Sequence, residues 1–77
     1  MSIQIRFFGP LADAVGKSRM DIKDINDTET LKRKMLKDFP KLKNYPFVIA
    51  VSKQIVRENQ SLNPGDVVAL LPPFAGG

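Results

Sequence analysis

The sequence predicts an α+β domain in which one main helix covers one face of a mixed sheet of four to five strands. Three observations point there. Ile3-Gln4-Ile5-Arg6-Phe7-Phe8 alternates with a period of two, as a half-buried strand does. Residues 28–39 carry Leu31, Met35, Leu36 and Phe39 on one helical stripe. The apolar runs 47–51 and 67–71 are too short for helices and read as strands.

Each element follows from its residues. The first strand puts Ile3, Ile5 and Phe7 on one face and Gln4, Arg6 and Phe8 on the other. Gly9-Pro10 breaks it, and Leu11, Ala14 and Val15 then space as a short helical turn closed by Gly16. Residues 18–23 alternate again with Met20 and Ile22 inward, which predicts an antiparallel hairpin with the first strand. Asn26-Asp27-Thr28 offers several N-cap side chains for the main helix, with Asn26 and Glu29 as a capping box or Thr28 as an equally good single cap, and Pro40 stops it. Phe47-Val48-Ile49-Ala50-Val51 is a strand covered on both faces, and Ser52-Lys53-Gln54 turns it into a short strand at Ile55-Val56. Asn63-Pro64-Gly65-Asp66 has proline second and glycine third, as a type II turn requires, and leads into the last strand.

Composition narrows the function. Seventy-seven residues make one domain, which buries only about 60% of the surface its unfolded chain exposes. A large internal active site does not fit in so small a body, so any chemistry sits on the surface or at an end. The chain has no cysteine and no histidine, which removes thiolate nucleophiles, zinc–cysteine sites and the commonest general base. No signal peptide, lipidation motif or membrane-length apolar run is evident, so a cytoplasmic protein with no membrane partner is expected. The net charge of +4 is modest. Lys32, Arg33, Lys34, Lys37, Lys41 and Lys43 form a basic stretch that reads first as a solvated helix face. No aromatic residues interleave with the charges on that face, so nucleic-acid binding is not expected.

The last eight residues, Leu70-Leu71-Pro72-Pro73-Phe74-Ala75-Gly76-Gly77, are unusual for a chain end: apolar, stiffened by two prolines and finished by two glycines. Together with Phe7-Phe8-Gly9-Pro10-Leu11-Ala12-Asp13-Ala14-Val15-Gly16 and the Gly65-Asp66 turn, they resemble the small, sulfur-carrier subunit of molybdopterin synthase, and the likeness covers essentially the whole chain. Ser52, where many such proteins have Asn, is the one departure noted.

The resemblance implies a β-grasp, ubiquitin-like fold, with residues 1–71 as the domain and 72–77 as an extended tail. It implies that the Gly77 carboxylate is the working group. An E1-like activating enzyme adenylates it with ATP, sulfur replaces the adenylate, and the resulting thiocarboxylate is presented to the large catalytic subunit for transfer to a cyclic pterin. No cofactor is expected on the chain itself, and the isolated chain is not expected to be an enzyme. Sulfur carriage for thiamin thiazole or tRNA thiolation, a ubiquitin-like protein modifier and a plain binding module are the competing readings.

The tail chemistry fits these residues. Gly76 and Gly77 lack a Cβ, so their backbone passes where other residues would not. Pro72 and Pro73 favour an extended rod, and six such residues reach about 19 Å at about 3.1 Å each. The face turned away from the helix is expected to carry Phe8, Val48, Ala50, Ala69 and Leu71, continued by Pro72, Pro73, Phe74 and Ala75, as an apolar partner interface. Arg6 shares that face.

Overall fold

The computed structural model describes residues 2–73. Five strands and two α-helices follow in the order β1 (Ile3–Phe7), α1 (Pro10–Val15), β2 (Arg19–Ile22), α2 (Thr28–Asp38), β3 (Val48–Val51), β4 (Gln54–Val56) and β5 (Val67–Leu71), with a 3-10 turn at Pro40–Asn44 between α2 and β3. The sheet order is β2-β1-β5-β3-β4. β1 pairs antiparallel with β2 and parallel with β5, while β3 is antiparallel to both β5 and β4. The last strand therefore lies at the centre of the sheet, beside the first. This is the β-grasp arrangement.

The alternation in β1 is realised as expected. Ile3, Ile5 and Phe7 are buried, and Val68 and Leu70 of β5 join them. Leu31 and Met35 of α2 and Leu42 of the 3-10 turn close this inner layer with no exposed surface. Leu36 and Phe39, also on the helical stripe, are half-buried against it. The Phe39 ring meets Phe7 edge to face, centroids 6.4 Å apart at 71°. The 3-10 turn extends the core where the sequence signalled only the stop at Pro40.

The turns are as specific as the strands. Gly65 has φ 90° and the Asp66 N–H donates to the Asn63 carbonyl at 3.0 Å, the geometry of a type II turn. Ser52 and Lys53 both have positive φ, 50° and 71°, forming the two-residue connection between β3 and β4.

Of the three N-cap candidates the middle one caps α2, and neither the Asn26–Glu29 box nor Thr28 does. Asp27 is the N-cap: its carboxylate accepts from the Thr30 N–H at 3.3 Å and from the Thr30 hydroxyl at 2.6 Å. Thr28 lies inside the helix, buried, with its Oγ1 accepting from the Gln60 N–H at 3.0 Å. Asn59 Oδ1 accepts from the Glu29 N–H at 3.0 Å, so a residue thirty positions away satisfies a second N-terminal donor. The fold takes Thr28 away from capping to tie the 59–60 loop to the helix.

The hydrogen bond from the Thr30 hydroxyl, followed by that from its N–H, lowers the Asp27 pKa. A lowered folded-state pKa adds stability above the ordinary carboxylate range and loses it as pH falls through the depressed value. Asp27→Asn is therefore expected to flatten the acid limb of the stability curve below about pH 4, measured by urea unfolding across pH, and to leave the neutral-pH fold intact.

Candidate functional site

The β-sheet has a second face, which α2 does not cover. The register determines its composition. Gln4 pairs with Val67, Arg6 with Ala69, Ala50 with Ala69 and Val48 with Leu71, and residues paired directly across strands share a face. Arg6, Phe8, Ala50, Lys53, Ile55, Val67, Ala69 and Leu71 line a shallow concavity of about 640 Å³ there. Three of its large apolar side chains stand well out of the surface: Phe8 at 41%, Ile55 at 41% and Val67 at 39% exposure. Exposed apolar residues are ordinary singly; here they are gathered in one concavity, as a candidate docking surface has them.

The residues expected on this face fall into two roles. Phe8 projects, and Val48, Ala69 and Leu71 are half-buried. Ala50 is 5% exposed and forms floor beneath its neighbours, outside the main core cluster. Ile55 and Val67 extend the patch beyond the expected set. Ile55 joins it because β4 pairs Ile55 with Ala50. The sequence reading gives Gln54 to the turn; the structure starts β4 at Gln54, leaves a two-residue turn at 52–53 and so sets Ile55 opposite Ala50.

β5 leads straight from this face into the C-terminal segment. Pro72 is buried and Pro73 exposed, so among the described residues the chain leaves the body after Pro72. What seats Pro72 is Gly9. It has φ 58° and ψ −139°, and a Cβ built there would lie 3.1 Å from Pro72 Cγ. Gly9 therefore satisfies two demands at once, a backbone conformation L-residues avoid and a close approach by the proline ring. Sequence reading took Gly9 only as a strand breaker. Phe74, Ala75, Gly76 and Gly77 lie outside the described residues.

The basic stretch lies on the other side of the molecule. Lys34 pairs with Asp38 at 3.1 Å, and Lys32 stands 5.9 Å from the Phe47 ring centroid. Lys37, Lys41 and Lys43 are exposed. This is the solvated helix face that the sequence suggested. No described helix is long and apolar enough to cross a membrane.

A β-grasp body with an uncovered apolar sheet face, leading at β5 into a Pro-Pro segment, defines a small ubiquitin-like protein. Residues 5–77 match the ThiS family, and the chain belongs to it. It is similar over its full length, and over the full length of the match, to a solved protein–protein complex of subunits 1 and 2 of the molybdopterin-converting factor from Helicobacter pylori, at 34% identity and TM-score 0.74. The fold is shared with a protein assigned as molybdopterin converting factor subunit 1 from Pyrococcus furiosus: 21% identity, 95% of this chain and 98% of that one covered, TM-score 0.86. It is shared also with small archaeal modifier protein 1 from Methanosarcina acetivorans: 18% identity, 99% and 96% covered, TM-score 0.82.

The Gly9–Pro72 contact makes a quantitative expectation. Gly9→Ala should cost about 1–3 kcal/mol in chemical denaturation. Gly16→Ala, at φ 88° with nothing within 4 Å of the added Cβ, should cost about 1–2 kcal/mol, the backbone penalty alone. Adding Pro72→Ala to Gly9→Ala should recover the steric part of the loss, seen as a non-additive double-mutant cycle.

Proposed function

We propose that this protein is a sulfur carrier that serves as the small subunit of a molybdopterin synthase. The observation that carries the proposal is the joining of two features on one strand. β5 contributes Val67, Ala69 and Leu71 to the apolar concavity and continues into Pro72-Pro73-Phe74-Ala75-Gly76-Gly77. A partner that seats on the sheet face thereby receives the segment that follows it. The full-length similarity to a subunit 1 solved together with its subunit 2 supports the same reading.

The chemistry assigned to Gly77 follows from what a carboxylate can do. It is a poor acyl donor because oxide is a poor leaving group. Attack of the carboxylate on the α-phosphate of ATP, on an activating enzyme, would release diphosphate and leave an acyl adenylate. A sulfur nucleophile from a donor would then displace AMP, and the resulting thiocarboxylate is nucleophilic enough to attack a cyclic pterin precursor. That attack would form a carbon–sulfur bond to the pterin at the expense of a carbon–oxygen bond, giving a thioester, and water would then cleave its acyl–sulfur bond, leaving the sulfur on the pterin and returning the carboxylate. The protein supplies position: Gly76 and Gly77 are narrow enough to enter a partner's active site, and Pro73 limits the freedom lost when the segment docks. On this reading the chain is a non-catalytic carrier of a heteromeric enzyme and works in the cytoplasm.

Intact mass spectrometry tests the chemistry. Incubation with the activating enzyme of the same genome, ATP and a sulfur source should add the mass of one oxygen-to-sulfur exchange, mapped to Gly77. The gain should vanish when Gly77 is deleted; no gain in the intact chain refutes the carrier role. Adding the large subunit and the pterin precursor should then return the original mass with dithiolene formation. Lysine conjugates in its place would indicate a protein modifier.

Binding tests the surface. Phe8→Asp and Leu71→Asp should each weaken binding to the large subunit by about a hundredfold or more, as loss of a central anchor does. Phe8→Asp, at an exposed position, should change stability by no more than about 0.5 kcal/mol. Unfolding of the Phe8→Asp protein would mean instead that Phe8 is core.

A further inference from the structure

The strand register places two arginines against each other. In the antiparallel pairing of β1 with β2, Arg6 stands directly opposite Arg19. The Phe7 N–H donates to the Ser18 carbonyl at 2.9 Å, which makes Phe7–Ser18 a hydrogen-bonded pair. Such pairs alternate, so Arg6–Arg19 is non-hydrogen-bonded, the kind in which facing side chains come closest. The next β1 amides along the even positions confirm the alternation: Gln4 and Phe8 donate across to Asp66 and Leu70 on the β5 side.

Both arginines are exposed and both belong to the outer face, since Arg6 lines the concavity and directly paired residues share a face. Like charges directly opposite destabilise a sheet. Neither arginine makes an ion pair among the described residues. Asp21, the one carboxylate of β1 and β2 on this face, is one outer-face position away opposite Gln4, and the single ion pair among the described residues joins Lys34 to Asp38 on α2. Lys53, held at φ 71°, adds a cation to the concavity from the other side. The apolar strip is thus bordered by cations on both flanks.

We propose that Arg6 and Arg19 form a carboxylate clamp, and that the large subunit docking on this face places an acidic side chain over β1 and β2 beside its apolar contact with Phe8. Two guanidiniums offer planar forks that suit a carboxylate's two oxygens. The partner's charge removes a repulsion present in the free chain, so the pair steers the encounter and fixes its register, while the apolar strip supplies most of the affinity. This inference rests on the carrier reading and adds the chemistry of the partner's rim.

The test measures association and dissociation rates with the large subunit of the same genome, between about 50 and 300 mM salt. The proteins compared are the wild type, the Arg6→Gln/Arg19→Gln variant and a helix-face control, Lys37→Gln/Lys41→Gln, which removes equal charge. The arginine variant should associate about tenfold more slowly at low salt and lose most of the salt dependence. The control should follow the wild type. The arginine variant should also melt no lower than the wild type, since it loses a repulsion. Wild-type kinetics and salt slope in the arginine variant would overturn the clamp while leaving the carrier reading intact. So would an equal effect in the helix-face control, which would assign the steering to net charge. Failure of the wild type to bind the large subunit at all would overturn both.

Discussion

β5 is held from both sides. Its neighbours are β1, running parallel, and β3, running antiparallel, and its inward side chains Val68 and Leu70 are almost wholly buried. An apolar strand in the middle of a sheet is among the last parts of a small domain to open, because its exposure requires loss of the core. The chain therefore leaves the body from its most firmly fixed strand. Pro72, packed on Gly9, extends that hold one residue beyond the sheet. The point at which Pro73 leaves the body is thus set by backbone pairing at the centre of the fold.

The same strand alternates between two tasks. Its inward residues complete the core beneath α2, and its outward residues Val67, Ala69 and Leu71 form the spine of the concavity. Period-two geometry makes these tasks inseparable in register: a one-residue slip would expose Leu70 and bury the docking residues. Helix α2 enforces the choice by sealing one face with Leu31 and Met35. Its exposed lysines lie away from the docking face, which leaves that face to its own Arg6, Arg19 and Lys53 for electrostatic character. The chain so divides into a face that folds and a face left open, and β5 contributes to both.

Most of this was legible from local pattern. The alternation through Phe8, the helical stripe at Leu31, Met35, Leu36 and Phe39, and the Asn63-Pro64-Gly65-Asp66 turn each carry their structural meaning within a few residues. Three features were not legible because they depend on tertiary approach. With Asp27 as the N-cap, Asn59 satisfies a further N-terminal donor of α2 from thirty residues away, and Thr28 ties the 59–60 loop to the helix. Gly9 meets Pro72 only after β1 and β5 pair. Arg6 read as a lone arginine on the outer face, able to contact a partner carboxylate; hairpin register sets Arg19 opposite it. That register followed from Met20 and Ile22 facing inward, so the pairing could have been worked out; its consequence for charge required asking what stands across the strand.

We have proposed that this protein meets the large subunit through the uncovered sheet face and the segment that follows β5. Titrating the isotope-labelled protein with the unlabelled large subunit and following its backbone amide resonances tests this most directly. The account predicts perturbations in β1, β2, β3, β4 and β5, concentrated around Phe8, Ile55, Val67, Ala69 and Leu71 and running into the residues after Pro73, with the exposed positions of α2 and residues 40–44 unmoved. Perturbations centred on Lys37, Lys41 and Lys43, with the sheet resonances unchanged, would contradict it.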